Sequence, residues 1–276
     1  MITRFGKPNT IPRPLPGERL RRLRNCVTIA AGILCQDGMV ICADTEETIT
    51  EERKGPQGKI RIVQHYAMPV AGGEQKFDWT IGIAGAGHSD WVAVFNDGLS
   101  REVMDKFNPR RNPTHAELQQ LLEAYAQQFF ERYIRNYAEN PEHRPQVQIV
   151  LLMQHHGGVL FRDMFRINDN LVLGDNFRGY VAIGTGSPVF HHLADSLLLN
   201  ASYSARQTAS IAAYIMDRVK SEVRGCGGNT HIVIIEGDCS YKSIPTTRVK
   251  ELEIYHAGVE FKMNEALAKE LIKELP

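Results

Sequence analysis

Short strand patterns and longer helical patterns alternate along the chain. From residue 28 the sequence TIAAGILCQDGMVICAD holds two apolar runs separated by Gln36, Asp37 and Gly38. Asp-Gly between apolar runs is typical of a β-hairpin, because glycine accepts the positive φ that such turns need. Neither run alternates cleanly between apolar and polar positions, which predicts that both strands are covered on both faces.

The remaining pattern places helix pairs between groups of strands. Strands are expected over 59–66, 79–83, 146–154, 158–167, 179–184 and 231–236, and helices over 88–107, 115–137, 188–200 and 205–223. The second helix should begin with a capping box formed by Thr114 and Glu117. This order predicts an α+β fold in which two stacked antiparallel sheets lie between pairs of helices.

The two ends of the chain differ from the middle. Residues 1–25 are rich in proline and arginine with Glu18 as the single acid, which indicates an extended arm or a removable pro-segment. Residues 69–73 indicate a loop. The tail over 246–276 is predicted to end in an amphipathic helix over 264–275.

Composition excludes several classes of function. The chain has 32 basic and 32 acidic residues, so no net charge attracts nucleic acid or an anionic membrane. No run approaches the ~18 apolar residues of a membrane span, and the N-terminus lacks the apolar core of a secretory signal. We therefore expect a cytoplasmic protein without nucleic-acid or membrane partners. The odd number of cysteines (5) argues against a disulfide framework, and without a CxxC or HExxH pattern no metal or cofactor is expected.

The first hairpin carries the residues best suited to chemistry. Thr28 opens the first strand, Asp44 closes the second, and Lys59 follows one element later. An alcohol is a poor nucleophile until a base and a fixed positive charge act on it. A hydroxyl, a carboxylate and an ammonium group in this order are therefore candidates for nucleophilic catalysis.

The hairpin and several later turns resemble proteasome β-subunits and their bacterial HslV-type relatives, members of the N-terminal-nucleophile (Ntn) hydrolase superfamily. The similar segments, in the family's order, are GMVICAD (38–44), Lys59-Ile60, IGIAGAGHSD (81–90), VAIGTGSP (181–188) and GCGGNT (225–230). They span most of the chain. The resemblance implies the family's four-layer αββα sandwich over residues 28–245, with an N-terminal extension or pro-segment (1–27) and a C-terminal extension (246–276).

The resemblance also implies a role for each candidate residue. Autocleavage before Thr28 would expose an α-amino group as base, with Lys59 stabilising the alkoxide and Asp44 orienting Lys59. Backbone amides of the turn containing Gly85 and Gly87 would bind the oxyanion, and Thr185 would hydrogen-bond the new amino terminus. The expected activity is that of a threonine-type endopeptidase acting on polypeptides. It would work as a homo-oligomeric ring, with any ATPase unfoldase on a separate chain because no phosphate-binding loop is present.

Departures from the family pattern leave other functions open. Val27 stands where the family has glycine before its threonine, and Val223 and Cys226 replace an acid and a serine. These differences favour an unprocessed, catalytically inactive ring or scaffold protein as the alternative. A small-molecule amidohydrolase of the same superfamily is a third possibility, with Cys26 as a variant nucleophile.

Overall fold

A computed structural model describes residues 28–50, 53–56, 59–66, 77–107, 114–137, 144–156, 160–174, 178–199 and 202–274. Within these ranges the side chains of residues 46–50, 53–56, 66, 77, 156, 160–161, 261 and 264–274 are not described. The expectations for residues 1–27, including those for Cys26 and Val27, and for the loop at 69–73 lie outside the described residues.

All predicted strands and helices are present in the predicted order, together with four short strands that the sequence pattern did not indicate. The strands are β1 (Ile29–Leu34), β2 (Gly38–Asp44), β3 (Glu46–Thr50), β4 (Arg53–Pro56), β5 (Ile60–Tyr66), β6 (Phe77–Gly87), β7 (Val147–His156), β8 (Leu160–Asn168), β9 (Leu171–Gly174), β10 (Tyr180–Gly184), β11 (Thr230–Glu236) and β12 (Tyr241–Ser243). The helices are α1 (Ser89–Lys106), α2 (His115–Phe129), α3 (Ser187–Leu197), α4 (Ala205–Glu222) and α5 (Thr246–Glu274). A π-helical turn and a 3₁₀ turn extend α2 to Tyr137.

The strands form two five-stranded sheets and a separate two-stranded ribbon. The first sheet has the order β10-β1-β2-β11-β12, the second has the order β5-β6-β7-β8-β9, and β3 pairs with β4. Every pair in these sheets is antiparallel. The predicted hairpin is confirmed, since β1 pairs with β2.

Three apolar clusters lie between the helices, the two sheets and the opposite helices, and they hold these four layers together. Alternate residues of β1 face opposite sides: Ile29 packs with Met216 of α4, whereas Ala30 packs with Leu152 of the second sheet. A third cluster, which includes Phe95 and Leu151, joins the second sheet to α1 and α2. Both faces of β1 are therefore buried, which explains its continuous apolar pattern and confirms the αββα sandwich.

The capping box at the start of α2 is also confirmed. The Thr114 hydroxyl accepts a hydrogen bond from the Glu117 amide, and the Glu117 carboxylate accepts one from the Thr114 amide. None of the described helices is both long enough and apolar enough to cross a membrane.

Two predicted boundaries were wrong, and each error has a physical reason. Strand β6 continues through Gly87 instead of ending near Ile83, because its small residues pair with β7 as far as Val147. Helix α5 begins at Thr246 rather than at 264, since Val249 and Leu252 pack into the core beside α4. Both extensions depend on tertiary contacts that local sequence patterns do not show.

Candidate active site

The hairpin brings Thr28 and Asp44 together at one end of the first sheet. Thr28 directly precedes β1 and Asp44 is the last residue of β2. The Thr28 hydroxyl donates a hydrogen bond of 2.6 Å to Asp44 Oδ1, and the Ile29 amide donates to the same oxygen at 3.2 Å. Both side chains belong to buried residues, with 3% of Thr28 and 0% of Asp44 exposed. The carboxylate therefore fixes the position of the hydroxyl.

Lys59 reaches this pair from the second sheet. It directly precedes β5, and its Nζ donates to Asp44 Oδ1 at 2.6 Å. The same ammonium group donates to the Thr28 hydroxyl oxygen. Because the Lys59 side chain is only 10% exposed, water screens its charge poorly. The structure thus places a hydroxyl oxygen against a buried cation and anion.

The second oxygen of Asp44 is held by a glycine-rich loop. The Gly227 amide donates to Asp44 Oδ2 at 3.1 Å. Two further hydrogen bonds of 2.9 Å join Asn229 to Thr45, one in each direction. Residues 225–229, called the glycine loop below, therefore help to fix the orientation of the carboxylate.

The turn after β10 holds the backbone of Thr28. Gly184 has a φ of +90°, and a Cβ atom at this position would lie 2.1 Å from the Thr28 carbonyl oxygen. The Gly186 amide donates to the same carbonyl oxygen at 3.4 Å. Thr185, between them, is exposed, and no hydrogen bond joins it to Thr28 in the described structure. Its role towards a new amino terminus stays a prediction.

Gly85 and Gly87 lie at the end of β6, close in sequence to the start of α1. The Gly85 amide donates to the Lys59 carbonyl oxygen at 3.3 Å, so this amide helps to position Lys59. Gly87 has a φ of +113°, and a Cβ atom there would lie 2.1 Å from the Gln146 carbonyl oxygen. Only glycine fits this close approach. The oxyanion role of the two glycines stays a prediction.

His88 follows Gly87 and precedes the first turn of α1. Burial lowers the pKa of His88, and Asp90 opposes that shift. The imidazole is therefore held in its neutral form near neutral pH. Its Nδ1 atom is buried and has no hydrogen-bond partner among the residues that the structure describes.

Two contacts that hold residues of the site in place could not be recognised from the sequence. Gln148 of β7 lies opposite Ala86 in register, and its Oε1 accepts a hydrogen bond of 2.8 Å from the Gly184 amide. Its one visible sign was a polar residue directly before the apolar run of β7. Gly227 belonged to a recognised turn, but a backbone donor leaves no mark on the residue type.

In the described part of the chain, no group of three or more His, Cys, Asp and Glu side chains is arranged to hold a metal ion.

Cys226, at the position where proteasome β-subunits have serine, is buried beside this site. Its Sγ atom lies 3.1 Å from the position that a Cβ atom on Gly186 would occupy.

Comparison with known proteins identifies similar folds but no close relative. No family model matches the chain, and no curated protein sequence is similar to it. Several solved structures are similar. Anbu (ancestral β-subunit) from Yersinia bercovieri has a TM-score of 0.66 and 15% identity, covering 90% of this chain and 98% of that one.

Two further Anbu structures agree with the first. A Gly-1 mutant from Hyphomicrobium sp. strain MC1 has a TM-score of 0.67 and 13% identity, covering 90% of this chain and 100% of that one. The helical assembly of the Anbu complex from Pseudomonas aeruginosa has a TM-score of 0.65 and 12% identity, covering 90% and 97%. At such low identity the likeness shows the fold alone.

These structures correct the family suggested by the sequence. Anbu proteins are proteasome-like but form a family separate from proteasome β-subunits and HslV. Assignment of the chain to the β-subunit and HslV family was therefore wrong, whereas the proteasome-like sandwich was right.

Proposed function

We propose that the chain is an N-terminal-nucleophile hydrolase that cleaves peptide bonds, with Thr28 as the nucleophile after removal of residues 1–27. The observation that carries this proposal is the contact of the Thr28 hydroxyl with both Lys59 Nζ and Asp44 Oδ1. A buried hydroxyl in contact with an ammonium group loses its proton more readily, because the positive charge stabilises the alkoxide.

Cleavage before Thr28 would supply the missing base. The unperturbed pKa of an α-amino group is ~7.7–8.0, which suits proton transfer near neutral pH. The amine takes the hydroxyl proton as the oxygen attacks the substrate carbonyl carbon, and it passes that proton to the leaving amine. Water then hydrolyses the resulting ester, releasing the acid product and restoring the hydroxyl of Thr28.

The surrounding groups have defined parts in this chemistry. Lys59 stabilises the alkoxide, and Asp44 keeps Lys59 charged and in place. The backbone amide of Gly87 is the candidate oxyanion donor, since the Gly85 amide already binds the Lys59 carbonyl oxygen. Thr185 is the candidate partner of the new amino group.

We further propose that the protein works as a homo-oligomer in the cytoplasm. In support, a similar structure is described as a helical assembly of the Anbu complex. Helix α5 also presents large apolar side chains to solvent, among them Ile254, Tyr255 and Met263. The substrate is a polypeptide, which a separate ATPase could unfold. Residues 28–245 form the hydrolase domain, and 246–276 form an extension.

The Gly85 amide already donates to the Lys59 carbonyl oxygen, which favours a second function, that of an inactive scaffold. An inactive scaffold needs no free oxyanion donor, and Val27 would disfavour autocleavage because glycine accepts tight backbone conformations more readily. In that case residues 1–27 remain attached and the sandwich serves assembly alone.

Hydrolysis of fluorogenic peptides by the wild type, Thr28→Ala and Thr28→Ser tests the proposal. The wild type should cleave, and Thr28→Ala should lose at least about a thousandfold in kcat/KM because its nucleophile is absent. Thr28→Ser is the matched control, since it keeps a hydroxyl and should retain measurable activity. Equal rates for wild type and Thr28→Ala would contradict the proposal, and cleavage of small amides alone would favour an amidohydrolase.

A further inference from the structure

We propose that Glu253 of α5 and Lys220 of α4 form a positioning pair for the Thr28 site. The pair holds the glycine loop, and the loop in turn holds Asp44. Through this pair the C-terminal helix supports the active site. The effect of the pair on catalysis rests on the proposed hydrolase function.

Glu253 joins three elements through one carboxylate oxygen. Its Oε1 accepts hydrogen bonds from Lys220 Nζ at 2.7 Å and from the Thr230 hydroxyl at 2.8 Å. The Lys220 and Glu253 side chains are 11% and 12% exposed, so water screens this ion pair less than a surface pair. Val249 and Leu252 anchor α5 in the core, which fixes the position of Glu253.

From this pair the contacts continue to the carboxylate of Asp44. Lys220 Nζ also donates to the Gly228 carbonyl oxygen at 3.4 Å. The neighbouring Gly227 amide donates to Asp44 Oδ2 at 3.1 Å. Thr230, held by Glu253, lies opposite Asp44 in the register of β11 and β2. The pair therefore acts on Asp44 by two routes.

The glycine loop needs such support because it has few side chains of its own. Gly225 and Gly228 both have positive φ, at +98° and +70°. Glycine in these conformations gains no side-chain packing and loses much conformational entropy on folding. The buried Cys226 side chain anchors the inner part of the loop, and the hydrogen bond from Lys220 to the Gly228 carbonyl oxygen supports its outer part.

The test compares Glu253→Ala, Glu253→Gln and the control Glu251→Ala. Glu251 lies on the same helix and makes only an exposed pair with Arg248 at 2.6 Å in the described structure. Amide hydrogen exchange is followed in peptides covering 225–230, together with kcat and KM for peptide hydrolysis. In Glu253→Ala we expect about tenfold faster exchange in this segment, because charge-assisted hydrogen bonds are lost.

The same variant should lower kcat about tenfold with KM nearly unchanged, since Asp44 is misplaced while the substrate contacts persist. Glu253→Gln keeps an oxygen acceptor and should recover much of both losses, whereas Glu251→Ala should match the wild type. Unchanged exchange at 225–230 in Glu253→Ala, or an equal rise throughout the protein, would overturn the inference. Absence of hydrolysis in the wild type would refute the proposed function, and the exchange data would still decide whether α5 supports the loop.

Discussion

Buried polar side chains lie at both ends of the layer between the two sheets, but they are paired differently. At the end with Thr28, which we call the site end, side chains bond to one another, and two of them carry charge. At the opposite end, the hairpin end, Gln64, Thr80 and Gln154 donate to backbone carbonyl oxygens, and Gln64 also donates to the Thr80 hydroxyl at 3.1 Å. Those oxygens belong to Glu236 and Cys239, at the turn between β11 and β12.

The two ends differ in whether stability alone can explain their polar contacts. Neutral side chains at the hairpin end tie the β11–β12 turn to the second sheet, and Arg162 of β8 ties the β1–β2 turn to it by donating to the Cys35 and Gly38 carbonyl oxygens. Stability alone explains these contacts, because each satisfies a backbone carbonyl group. A buried ion pair is weak evidence for stability, because the cost of desolvation offsets much of the attraction. Lys59 and Asp44 at the site end therefore call for an explanation beyond stability, and the proposed activation of Thr28 is one.

Among the substitutions that compare the two ends, Lys59→Met has the largest expected effect. Hydrolysis should fall at least about a hundredfold, because the cation beside the Thr28 oxygen is lost. The free energy of unfolding should also fall by about 3 kcal/mol, since the buried Asp44 carboxylate loses its partner. Peptide kinetics and chemical denaturation measure the two effects.

The double variant with Asp44→Asn is the control for this prediction. Removing both charges should recover much of the stability but none of the activity. Full activity in Lys59→Met would show that Lys59 is an ordinary structural lysine. The site end would then need no explanation beyond stability, like the hairpin end.

A smaller effect is expected from Gly184→Ala, with Gly179→Ala as its matched control. Both glycines have positive φ, at +90° and +73°, but a Cβ atom at Gly179 would meet nothing within 4 Å. Gly179→Ala should therefore cost only the backbone strain, about 1 kcal/mol of unfolding free energy. Gly184→Ala should cost more and reduce hydrolysis about tenfold, because its methyl group displaces the Thr28 carbonyl. Similar melting temperatures and rates for both variants would show that the contact with Thr28 is unimportant.

The smallest effect belongs to the hairpin end. Thr80→Val removes a hydroxyl of nearly equal volume and leaves the Cys239 carbonyl oxygen with one donor fewer. Unfolding free energy should fall by about 1 kcal/mol, and peptide hydrolysis should not change. A large loss of activity with unchanged stability would instead connect this end to the chemistry.

The fold was largely predictable because burial on two faces leaves a clear pattern. Continuous apolar runs in β1 and β2 indicated two-sided burial, and helical periodicity located α1 to α4. The short strands β9 and β12, each paired in a local hairpin with the strand before it, and the β3–β4 ribbon were missed. The early start of α5 was missed because its packing into the core is long-range.

The site was predictable only in part. Thr28 and Asp44 are neighbours through a local hairpin, so their proximity follows from the turn between β1 and β2. Lys59 approaches from the other sheet. Its residue type made it a candidate, but no local pattern predicted that it would reach Thr28 and Asp44. Gly227 and Glu253 act through a backbone amide and a distant helix, neither of which local patterns reveal.

The most direct test is the intact mass of the purified wild type and of Thr28→Ala. We expect a mass corresponding to residues 28–276 in the wild type and the full-length mass in the variant. Full-length mass in both proteins, or loss of residues 1–27 from both, would contradict Thr28 as a self-exposing nucleophile.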